Sequence, residues 1–537
     1  MSLINRNRRE FTKAVGTGVL SSVFFPQLAA GVAAGKAKPN LLVILPDQLN
    51  RDVLSCYGGP VSTPNIDQLA AEGVRFTQAT CPTPYCSPSR MSLETSLYPH
   101  QHGVVQNCGW KQNGMTTNDI TLAKILNQAG YSTHHYGKWH LETLNMGDTM
   151  PWYPDQYRQF PEYRDEMMDS FLKHKGTDPL GYQDWYGLIL PVELTGAMKQ
   201  AIQYNDLENK WKVGSFAQFA MKQGRFRLGE PDVFDTRVAD RAIRTIERCA
   251  AEEKPFMITC GFNVPHDPYI LHSPYYEMFD PDKIELPANF DKLEKLYEKN
   301  WSRRVVTQMR GPNGEEIGLR EFMRIYYGAV KFLDDQVGRV IETLKKTGQL
   351  DNTIIVFIPD HGDMVGGHGM AWKETTAFYE EVVRLALIIR YPSVFKPHVN
   401  EVPAETLDIM PTVLELLKFE VPSHLEGKSL VPYMTGVKKI TEAYPYTFSA
   451  RIDGHPEGAR EILPATKGSF MIRGEGFKYM VYPDGTEYLF NLDKDPGEIN
   501  DVAGDPEYRT VKKKMAETLA EWLRRTGWKG LPSGGAR

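Results

Sequence analysis

The chain has 537 residues and a formal net charge of −5, and apolar residues make up 41% of it. It is therefore longer than one ordinary domain and can bury a large core. Because no block of basic residues runs along the chain, we expect no nucleic-acid partner.

The N-terminus has the features of an export signal. Arg8 and Arg9 precede a weakly apolar run at 14–25, and small residues at 32–34 offer a cleavage site. The run is too short and too rich in glycine to span a bilayer stably. No other segment of the sequence approaches the length of a transmembrane helix. The paired arginines resemble a twin-arginine signal. We therefore predict that residues 1–34 are removed and that the chain is periplasmic or extracellular; an irregular basic N-terminus is the alternative.

Apolar runs and amphipathic stretches alternate along most of the chain. Strands are predicted at 39–45, 74–76, 131–136, 255–262, 353–358 and 385–390, mostly as continuous apolar runs typical of strands buried on both faces. Helices are predicted at 64–72, 121–129, 236–252, 321–346 and 407–417. This alternation predicts an α/β fold with a large, mostly parallel sheet between helices on both faces.

The C-terminal region has a different pattern. Alternating residues at 470–480 and 485–491 predict antiparallel strands joined by a turn at 483–485, followed by a helix at 511–525. We therefore place a boundary near Lys438. The predicted parts are an export signal at 1–34, a catalytic domain at 38–438 and a smaller C-terminal subdomain of antiparallel sheet plus helix at 439–537.

Regularity fades between about residues 150 and 235, where tryptophan, tyrosine, proline and charged residues mix. A long irregular stretch rich in aromatic residues is often an inserted binding region. A structural insertion with packed aromatic side chains is the alternative.

One of the six cysteines has a chemically suggestive setting. Cys86 opens the sequence Cys-Ser-Pro-Ser-Arg at 86–90, which predicts a loop turning into a helix with Pro88 near its first position. A nucleophile there would meet the N–H groups and dipole of the helix, which favour negative charge. A buried structural cysteine is the alternative, and one disulfide among the other five cysteines stays open.

Polar residues directly follow four of the predicted strands. They are Asp47 and Gln48, Lys138 and His140, His266, and Asp360 and His361. Because ligands of an open parallel sheet bind at the carboxyl ends of its strands, we expect these side chains to form one site.

Four of these residues have the chemistry of metal ligands. Asp47, Gln48, Asp360 and His361 offer two carboxylates, an amide oxygen and an imidazole nitrogen. Mostly oxygen ligands suit Ca²⁺ or Mg²⁺, and the imidazole is also compatible with Mn²⁺ or Zn²⁺. An aspartate that only forms a turn or caps a helix is the alternative for each carboxylate.

The remaining candidates suit the binding and cleavage of an oxyanion ester. Arg90, Lys138 and Lys373 would hold the oxyanion, although a solvated role is the usual one for any single lysine. His140 and His266 would act as general acid and base. With a metal ion and a nucleophile at a helix start, this set indicates hydrolysis of a sulfate or phosphate ester.

The chain resembles the type I sulfatases of the alkaline-phosphatase-like superfamily. The segment 86–90 matches the family signature C-x-P-S-R, whose cysteine is oxidised to formylglycine. Further matching motifs lie, in the family's order, at 46–47, 63–67, 137–140, 265–266, 360–362 and 492–498. Together they cover almost the whole mature chain and are very specific.

The resemblance implies how the nucleophile and the metal are built. Formylglycine, made from Cys86 by a formylglycine-generating enzyme, would be hydrated, and one of its hydroxyls, activated by the metal, would attack sulfur. The cation, usually Ca²⁺ in this family, would be held by residue 86 together with Asp47, Gln48, Asp360 and His361.

The resemblance also implies the roles of the other candidates. Arg90 would stabilise the hydrated aldehyde, and Lys138 and Lys373 would bind sulfate oxygens. His266, assisted by Lys373, would protonate the leaving alcohol. His140 would take the proton from the second hydroxyl, which expels sulfate and regenerates the aldehyde.

Two ligand positions depart from the commonest family pattern. Many members have a second aspartate in place of Gln48 and an asparagine in place of His361. The variants found here also occur in phosphonate monoester hydrolases and choline-sulfatase-like members. The phosphonate enzymes lack the pair formed by Lys138 and His140, so this pair favours sulfate. The signature continues here with Thr-Ser at 95–96, where Thr-Gly is usual.

The leading hypothesis is an exported sulfatase that acts on a sulfated carbohydrate and has no stable membrane span. A phosphonate monoester or phosphodiester hydrolase of the same fold is the second hypothesis, and a non-catalytic binder of sulfated glycan with unconverted Cys86 is the third. Speculative contacts to further sulfates or carboxylates, each with a packed or solvated role as the alternative, are Asn107, Arg303, Arg304, Arg451 and His455.

Overall fold

The computed structural model describes most of the chain from residue 38 onward. The described residues are 38–108, 114–115, 119–141, 233–267, 269–292, 317–373, 377–452 and 468–528, with the backbone of 184–188, 202–204 and 223–226. The predicted export signal, most of the insertion at 150–235, and Arg303, Arg304 and His455 lie outside them. Among the described helices, none is long and apolar enough to cross a membrane.

Strands and helices alternate as the sequence predicts. The strands are β1 Asn40–Ile44, β2 Val74–Phe76, β3 Ala79–Thr80, β4 Ser132–Lys138, β5 Asp184–Leu188, β6 Ile202–Tyr204, β7 Gln223–Phe226, β8 Phe256–Gly261, β9 Tyr269–His272, β10 Thr353–Phe357, β11 Leu387–Arg390, β12 His398–Asn400, β13 Ala404–Glu405, β14 Tyr446–Ile452, β15 Gly468–Gly474, β16 Phe477–Val481 and β17 Glu487–Asn491. The helices are α1 Pro64–Glu72, α2 Cys86–Thr95, α3 Pro99–His102, α4 Leu122–Gln128, α5 Phe234–Ala251, α6 Ile317–Lys346, α7 Glu380–Val383, α8 Ile409–Leu416, α9 Val431–Met434 and α10 Arg509–Arg525.

Eight of the described strands form one sheet in the order β12-β2-β11-β10-β1-β8-β4-β5. The central strands β10, β1, β8 and β4 are neighbours and all run parallel. Leu41 of β1 pairs with Ile354 of β10 on one side and with Met257 of β8 on the other. Only β11 runs antiparallel to both of its neighbours within this described sheet. The prediction of a large, mostly parallel sheet is confirmed.

The sheet separates two apolar cores. Leu41 and Val43 of β1 belong to one core, together with residues of α2, α4 and α8. Leu42 and Ile44 belong to the other, together with residues of α1, α5 and α6. Because both faces are covered by helices, β1, β8 and β10 are mostly apolar without alternation. The predicted sandwich of helices around the sheet is therefore confirmed.

The C-terminal region forms an antiparallel sheet in the order β14-β15-β16-β17, with α10 packed against it. The prediction of one strand at 470–480 is wrong, because Glu475 and Gly476 adopt positive φ angles and turn the chain between β15 and β16. A Glu-Gly pair is a weaker turn signal than Asn-Gly or Asp-Gly. The turn predicted at 483–485 does join β16 to β17. The boundary near Lys438 stays a prediction.

Within the region predicted as irregular, 150–235, the described residues form three short strands. β5 pairs in parallel with β4 and extends the main sheet, whereas β6 and β7 join β9 in a second sheet. Each of these strands within the region has only three to five residues, too few to give a clear periodic pattern.

Buried ion pairs attach the C-terminal sheet to the first turn of α7. Nζ of Lys478 lies 2.7 Å from Oε1 of Glu380 and 2.8 Å from Oε1 of Glu498. Arg473 adds a contact of 2.9 Å to Glu380. Charges this deeply buried persist only when they are paired, so these contacts fix α7 against the C-terminal sheet.

A glycine in β4 sets the spacing between β4 and β8. We expect Gly137→Ala to lower the free energy of unfolding by about 3 kcal/mol, because its φ is 104° and a Cβ would lie 2.0 Å from the carbonyl oxygen of Gly261. Gly130→Ala is the matched control, since its φ is 87° but no atom lies within 4 Å of the added Cβ. Strain alone should cost the control about 1–2 kcal/mol. If both variants lost the same free energy of unfolding in urea denaturation, the close approach of β4 and β8 at Gly137 would be contradicted.

Candidate active site

The ends of four parallel strands bring polar side chains to one edge of the main sheet. β1 leads to Asp47, β10 leads to Asp360, β4 ends at Lys138 and β8 leads to His266. Nζ of Lys138 lies 2.5 Å from Asp47, and Nε2 of His266 lies 3.9 Å from the same carboxylate. A bridge between Asp47 and Pro265 continues the pairing of β1 with β8 beyond the strands themselves.

Helix α2 places Cys86 at the same edge. The helix begins at Cys86, earlier than the predicted start near Pro88, and all of its residues are buried. Pro88 fits in the first turn because the N–H groups there have no acceptor within the helix. The N–H of Ser87 instead donates to Oδ1 of Asn107 at 3.1 Å, so this candidate substrate contact caps α2.

A compact group of potential metal ligands lies beside the start of α2. One ligand atom each from Asp47, Cys86, Asp360 and His361 lie within 4.8 Å of one another, and we call these four residues the cation cluster. All four are at most 1% exposed. Gln48 lies next to the cluster, because its backbone N–H donates to Oδ1 of Asp360 at 3.1 Å. Two buried carboxylates, an imidazole and a neighbouring amide fit a divalent cation.

Arg90 holds the two carboxylates of the cation cluster from one side. Its Nε donates to Asp360 at 2.8 Å, and its Nη2 donates to Asp47 at 3.0 Å. The remaining nitrogen, Nη1, donates to the carbonyl oxygen of Lys138 at 2.6 Å. The rigid fork of the guanidinium therefore links α2 to the ends of β1, β10 and β4.

Lys373 approaches the cluster from the other side. Its ammonium lies 3.2 Å from Sγ of Cys86, 3.0 Å from Oε1 of Gln48 and 2.7 Å from Nε2 of His266. Sγ of Cys86 is also 3.2 Å from Nε2 of His361. Two basic groups thus contact the sulfur directly.

The charges of the site shift the pKa values of its acids in opposite directions. Burial and the nearby Cys86 raise the pKa of Asp47, but the surrounding cations outweigh them and hold it well below its ordinary value. Burial also raises the pKa of Cys86, whereas the ammonium groups of Lys373 and Lys138 lower it well below its ordinary value. Burial and repulsion from Asp47 raise the pKa of Asp360. A cation between the two carboxylates would relieve that repulsion.

His140 and His266 have different surroundings. Burial lowers the pKa of His140 to about 4 despite a hydrogen bond to Cys86, so the imidazole is neutral at neutral pH. Nδ1 of His266 lies 2.8 Å from the carbonyl oxygen of Asp267, an acceptor, and its Nε2 lies 2.7 Å from the ammonium of Lys373, a donor. These partners place the proton of the neutral imidazole on Nδ1.

One predicted substrate contact from the C-terminal region, Arg451, lies close to the start of α2. The guanidinium of Arg451 lies 4.7 Å from the ring centre of Tyr85, which precedes Cys86. Its Nη1 donates to the carbonyl oxygens of Val105 and Ile452. The side chain therefore packs beside α2 and holds backbone there.

Several residues that support the site are not among the site residues predicted from the sequence. Oγ of Ser87 donates to the carbonyl oxygen of His140 at 2.6 Å, and Oγ of Ser89 donates to that of Asp360 at 2.6 Å. Both serines belong to the signature, but their partners are remote in sequence and no local pattern indicates them. Asp363 is a further buried carboxylate, visible in the motif Asp-His-Gly-Asp at 360–363 without an indication of its partner.

Comparison with known families decides the class of this site. The family model described as Sulfatase matches residues 39–419, more than half of the chain. The chain belongs to the sulfatase family. A second model, described as N-sulphoglucosamine sulphohydrolase, C-terminal, matches residues 366–525. The protein is accordingly a sulfuric ester hydrolase with an alkaline-phosphatase-like fold, as the resemblance implied.

Individual relatives of this sulfatase are distant but match over nearly their whole length. An N-acetylglucosamine-6-O-sulfatase of Bacteroides thetaiotaomicron is 27% identical over 90% of this chain and 86% of that protein. A phosphonate monoester hydrolase from Silicibacter pomeroyi has a TM-score of 0.69 at 23% identity, covering 92% of this chain and 96% of its own. A protein solved in complex with its substrate D-glucosamine-2-N,6-O-disulfate has a TM-score of 0.66 at 22% identity, covering 91% and 98%. The two solved structures establish the fold that they share with this sulfatase.

Removing the guanidinium of Arg90 should destabilise this sulfatase strongly. We expect Arg90→Met to lower the free energy of unfolding, measured in EDTA, by about 3–5 kcal/mol, because the carboxylates of Asp47 and Asp360 are 0% exposed and both would lose the guanidinium, which leaves Lys138 beside Asp47 alone. Arg390→Met is the control, since that side chain is 6% exposed but its carboxylate partners are 37% and 78% exposed. Water can solvate those carboxylates, so their loss of a partner should cost about 1 kcal/mol. If Arg90→Met lost no more free energy of unfolding than Arg390→Met, the pairing of the Arg90 guanidinium with the two buried carboxylates would not have the stabilising role inferred here.

Proposed function

We propose that this enzyme hydrolyses a sulfate ester of a sulfated carbohydrate, using formylglycine made from Cys86 and a divalent cation at the cation cluster. The observation that carries the proposal is the position of Cys86 at the start of α2, with its sulfur 3.2 Å from both Nζ of Lys373 and Nε2 of His361. Cations and helix N–H groups around a nucleophile are what an anionic substrate and its transition state require.

The cation in this proposal is Ca²⁺, with Mg²⁺ or Mn²⁺ as related choices. Asp47, Gln48, Asp360 and His361 would hold it together with residue 86. When bound, the cation supplies positive charge that favours an ionised hydroxyl and offsets the charge of the sulfate group. Mostly oxygen ligands in a dry site favour a hard cation over a soft one.

Formylglycine explains why the residue at position 86 is not used as a plain thiol. Its hydrate carries two hydroxyl groups, one to attack sulfur and one to release sulfate afterwards. A thiol would form a thiosulfate-type ester with no second hydroxyl to break it down. Cys86 and all of α2 are buried, so a formylglycine-generating enzyme has to reach this segment before the helix packs.

The chain's own residues bind the sulfate group and move protons. Lys138 and Lys373 bind its oxygens, and Arg90 stabilises the nucleophile. The ammonium of Lys373 donates to Nε2 of His266 at 2.7 Å, and this pair holds the proton that the leaving alcohol takes. His140, with its pKa lowered to about 4, is neutral at neutral pH and accepts the proton of the second hydroxyl.

A carbohydrate substrate is supported by the relatives and by the predicted export. The relative from Bacteroides thetaiotaomicron is an N-acetylglucosamine-6-O-sulfatase, and a solved structural neighbour contains a disulfated glucosamine as its substrate. The twin-arginine-like segment at 1–34 would carry the folded enzyme to the periplasm or beyond, where sulfated glycans are met.

A phosphonate monoester hydrolase is the second candidate, and two observations favour considering it. The residue types at the ligand positions 48 and 361, glutamine and histidine, also occur in such enzymes. The phosphonate monoester hydrolase from Silicibacter pomeroyi shares this fold with a TM-score of 0.69. Lys138 and His140, placed here beside the cluster, are the feature that favours sulfate.

Paired substrates separate the two candidates. We expect kcat/KM for 4-nitrophenyl sulfate to exceed that for 4-nitrophenyl phenylphosphonate, because Lys138 and His140 are both in place. Cys86→Ala, the background for both substrates, should retain less than about a thousandth of the parent rate. Cys56→Ala, which alters a cysteine beside Asp67 that is not part of the cluster, should behave like the parent. Preference for the phosphonate would overturn the sulfatase proposal, and turnover unaffected by Cys86→Ala would overturn the nucleophile.

A further inference from the structure

The side-chain amide of Gln48 is held between a group that only donates hydrogen bonds and a group that only accepts them. Nζ of Lys373 donates to its Oε1 at 3.0 Å, and its Nε2 donates to Oδ2 of Asp363 at 2.6 Å. An ammonium has no acceptor and a carboxylate has no donor, so only one of the two amide orientations satisfies both contacts. Gln48 and Asp363 are 0% exposed and Lys373 is 2% exposed, so water does not compete for these contacts.

Donors surround the carboxylate of Asp363 on both oxygens. The hydroxyl of Tyr269 donates to Oδ2 at 3.2 Å, and the N–H of Val365 donates to Oδ1 at 2.9 Å. Nε2 of Gln48 also donates to the Tyr269 oxygen at 3.2 Å. Both protons of the amide nitrogen therefore have an acceptor on the side away from the cluster, which leaves Oε1 to face it.

The backbone at Gln48 is fixed as well. Its φ is 63°, an uncommon value for a residue other than glycine. The hydroxyl of Tyr326 donates to the carbonyl oxygen of Gln48 at 2.6 Å, and Nδ2 of Asn50 donates to the carbonyl oxygen of Asp363 at 2.7 Å. Backbone and side chain are thus held by the same group of buried residues.

We propose that Asp363 is a positioning residue that fixes the amide of Gln48 so that Oε1, and not the NH₂ group, faces the cation cluster. A carboxylate ligand presents an oxygen whichever way it turns, whereas an amide ligand needs a partner that selects its oxygen. The inference deepens the proposed function, since the cation is the one proposed for the cluster.

The substitution Asp363→Asn removes this selection with little change of shape. An asparagine cannot accept at both ends, so either the N–H of Val365 loses its acceptor or the amide of Gln48 turns its NH₂ group toward Lys373 and the cation. The complementary substitution, Gln48→Glu, replaces the amide of the pair and places two carboxylates against each other. The double variant restores a matched pair, because the new asparagine NH₂ donates to the new glutamate, whose other oxygen faces the cluster.

Ca²⁺ affinity and apo stability test the inference together. After EDTA treatment at about pH 8, calorimetry should give a Kd for Ca²⁺ about 10–100-fold weaker in Asp363→Asn than in the parent. In EDTA, Tm should fall in each single variant and recover in the double variant. If Asp363→Asn does not fold, recovery of a folded protein in the double variant supports the same pairing.

Asp334→Asn is the matched control. Asp334 is also 0% exposed and also accepts from backbone N–H groups, those of Asn65 and Ile66, but it does not contact Gln48. The substitution Asp334→Asn should lower Tm without changing the Kd for Ca²⁺. An unchanged Kd in Asp363→Asn, or a double variant less stable than either single one, would overturn the inference and leave the proposed function intact. A parent enzyme that binds no Ca²⁺ would overturn the proposed cation and this inference together.

Discussion

The burial of opposite charges at the edge of the main sheet is the constraint on which the rest of the site depends. Asp47 and Asp360 are removed from water, and the fork of Arg90 keeps both ionisable groups paired. This pairing requires β1 and β10 to be parallel neighbours and requires α2 to start beside their ends. The fold and the site therefore depend on each other, since a buried Asp47 or Asp360 would be strongly destabilising if α2 did not bring Arg90 beside it.

The same arrangement sets up the chemistry. The ammonium groups of Lys373 and Lys138 lower the pKa of Cys86 well below its ordinary value, against the effect of burial. Sites of this kind stabilise charge that develops on an anionic ester without reorganisation. The C-terminal sheet is joined to α7 by the buried ion pair of Lys478 and Glu380.

The sequence predicts the central sheet and the convergence of its polar residues because both depend on local patterns. Apolar runs mark the buried strands, and the residues after each run lie at the carboxyl ends. Contacts between remote segments have no such signal, which is why the pairing of Asp363 with Gln48 and that of Ser87 with the backbone of His140 emerge only from the fold. The turn at 475–476 was missed for a different reason, since a Glu-Gly pair is a weak turn signal.

Peptide mass spectrometry across Cys86 determines whether this residue is converted to formylglycine. The protein should be produced in a host with a formylglycine-generating enzyme, beside a control sulfatase known to be converted there. We expect a tryptic peptide containing residues 86–90 in which the cysteine has become an aldehyde or its hydrate. An unmodified thiol throughout, with the control converted, would contradict a formylglycine nucleophile and make a non-catalytic glycan-binding protein the better explanation.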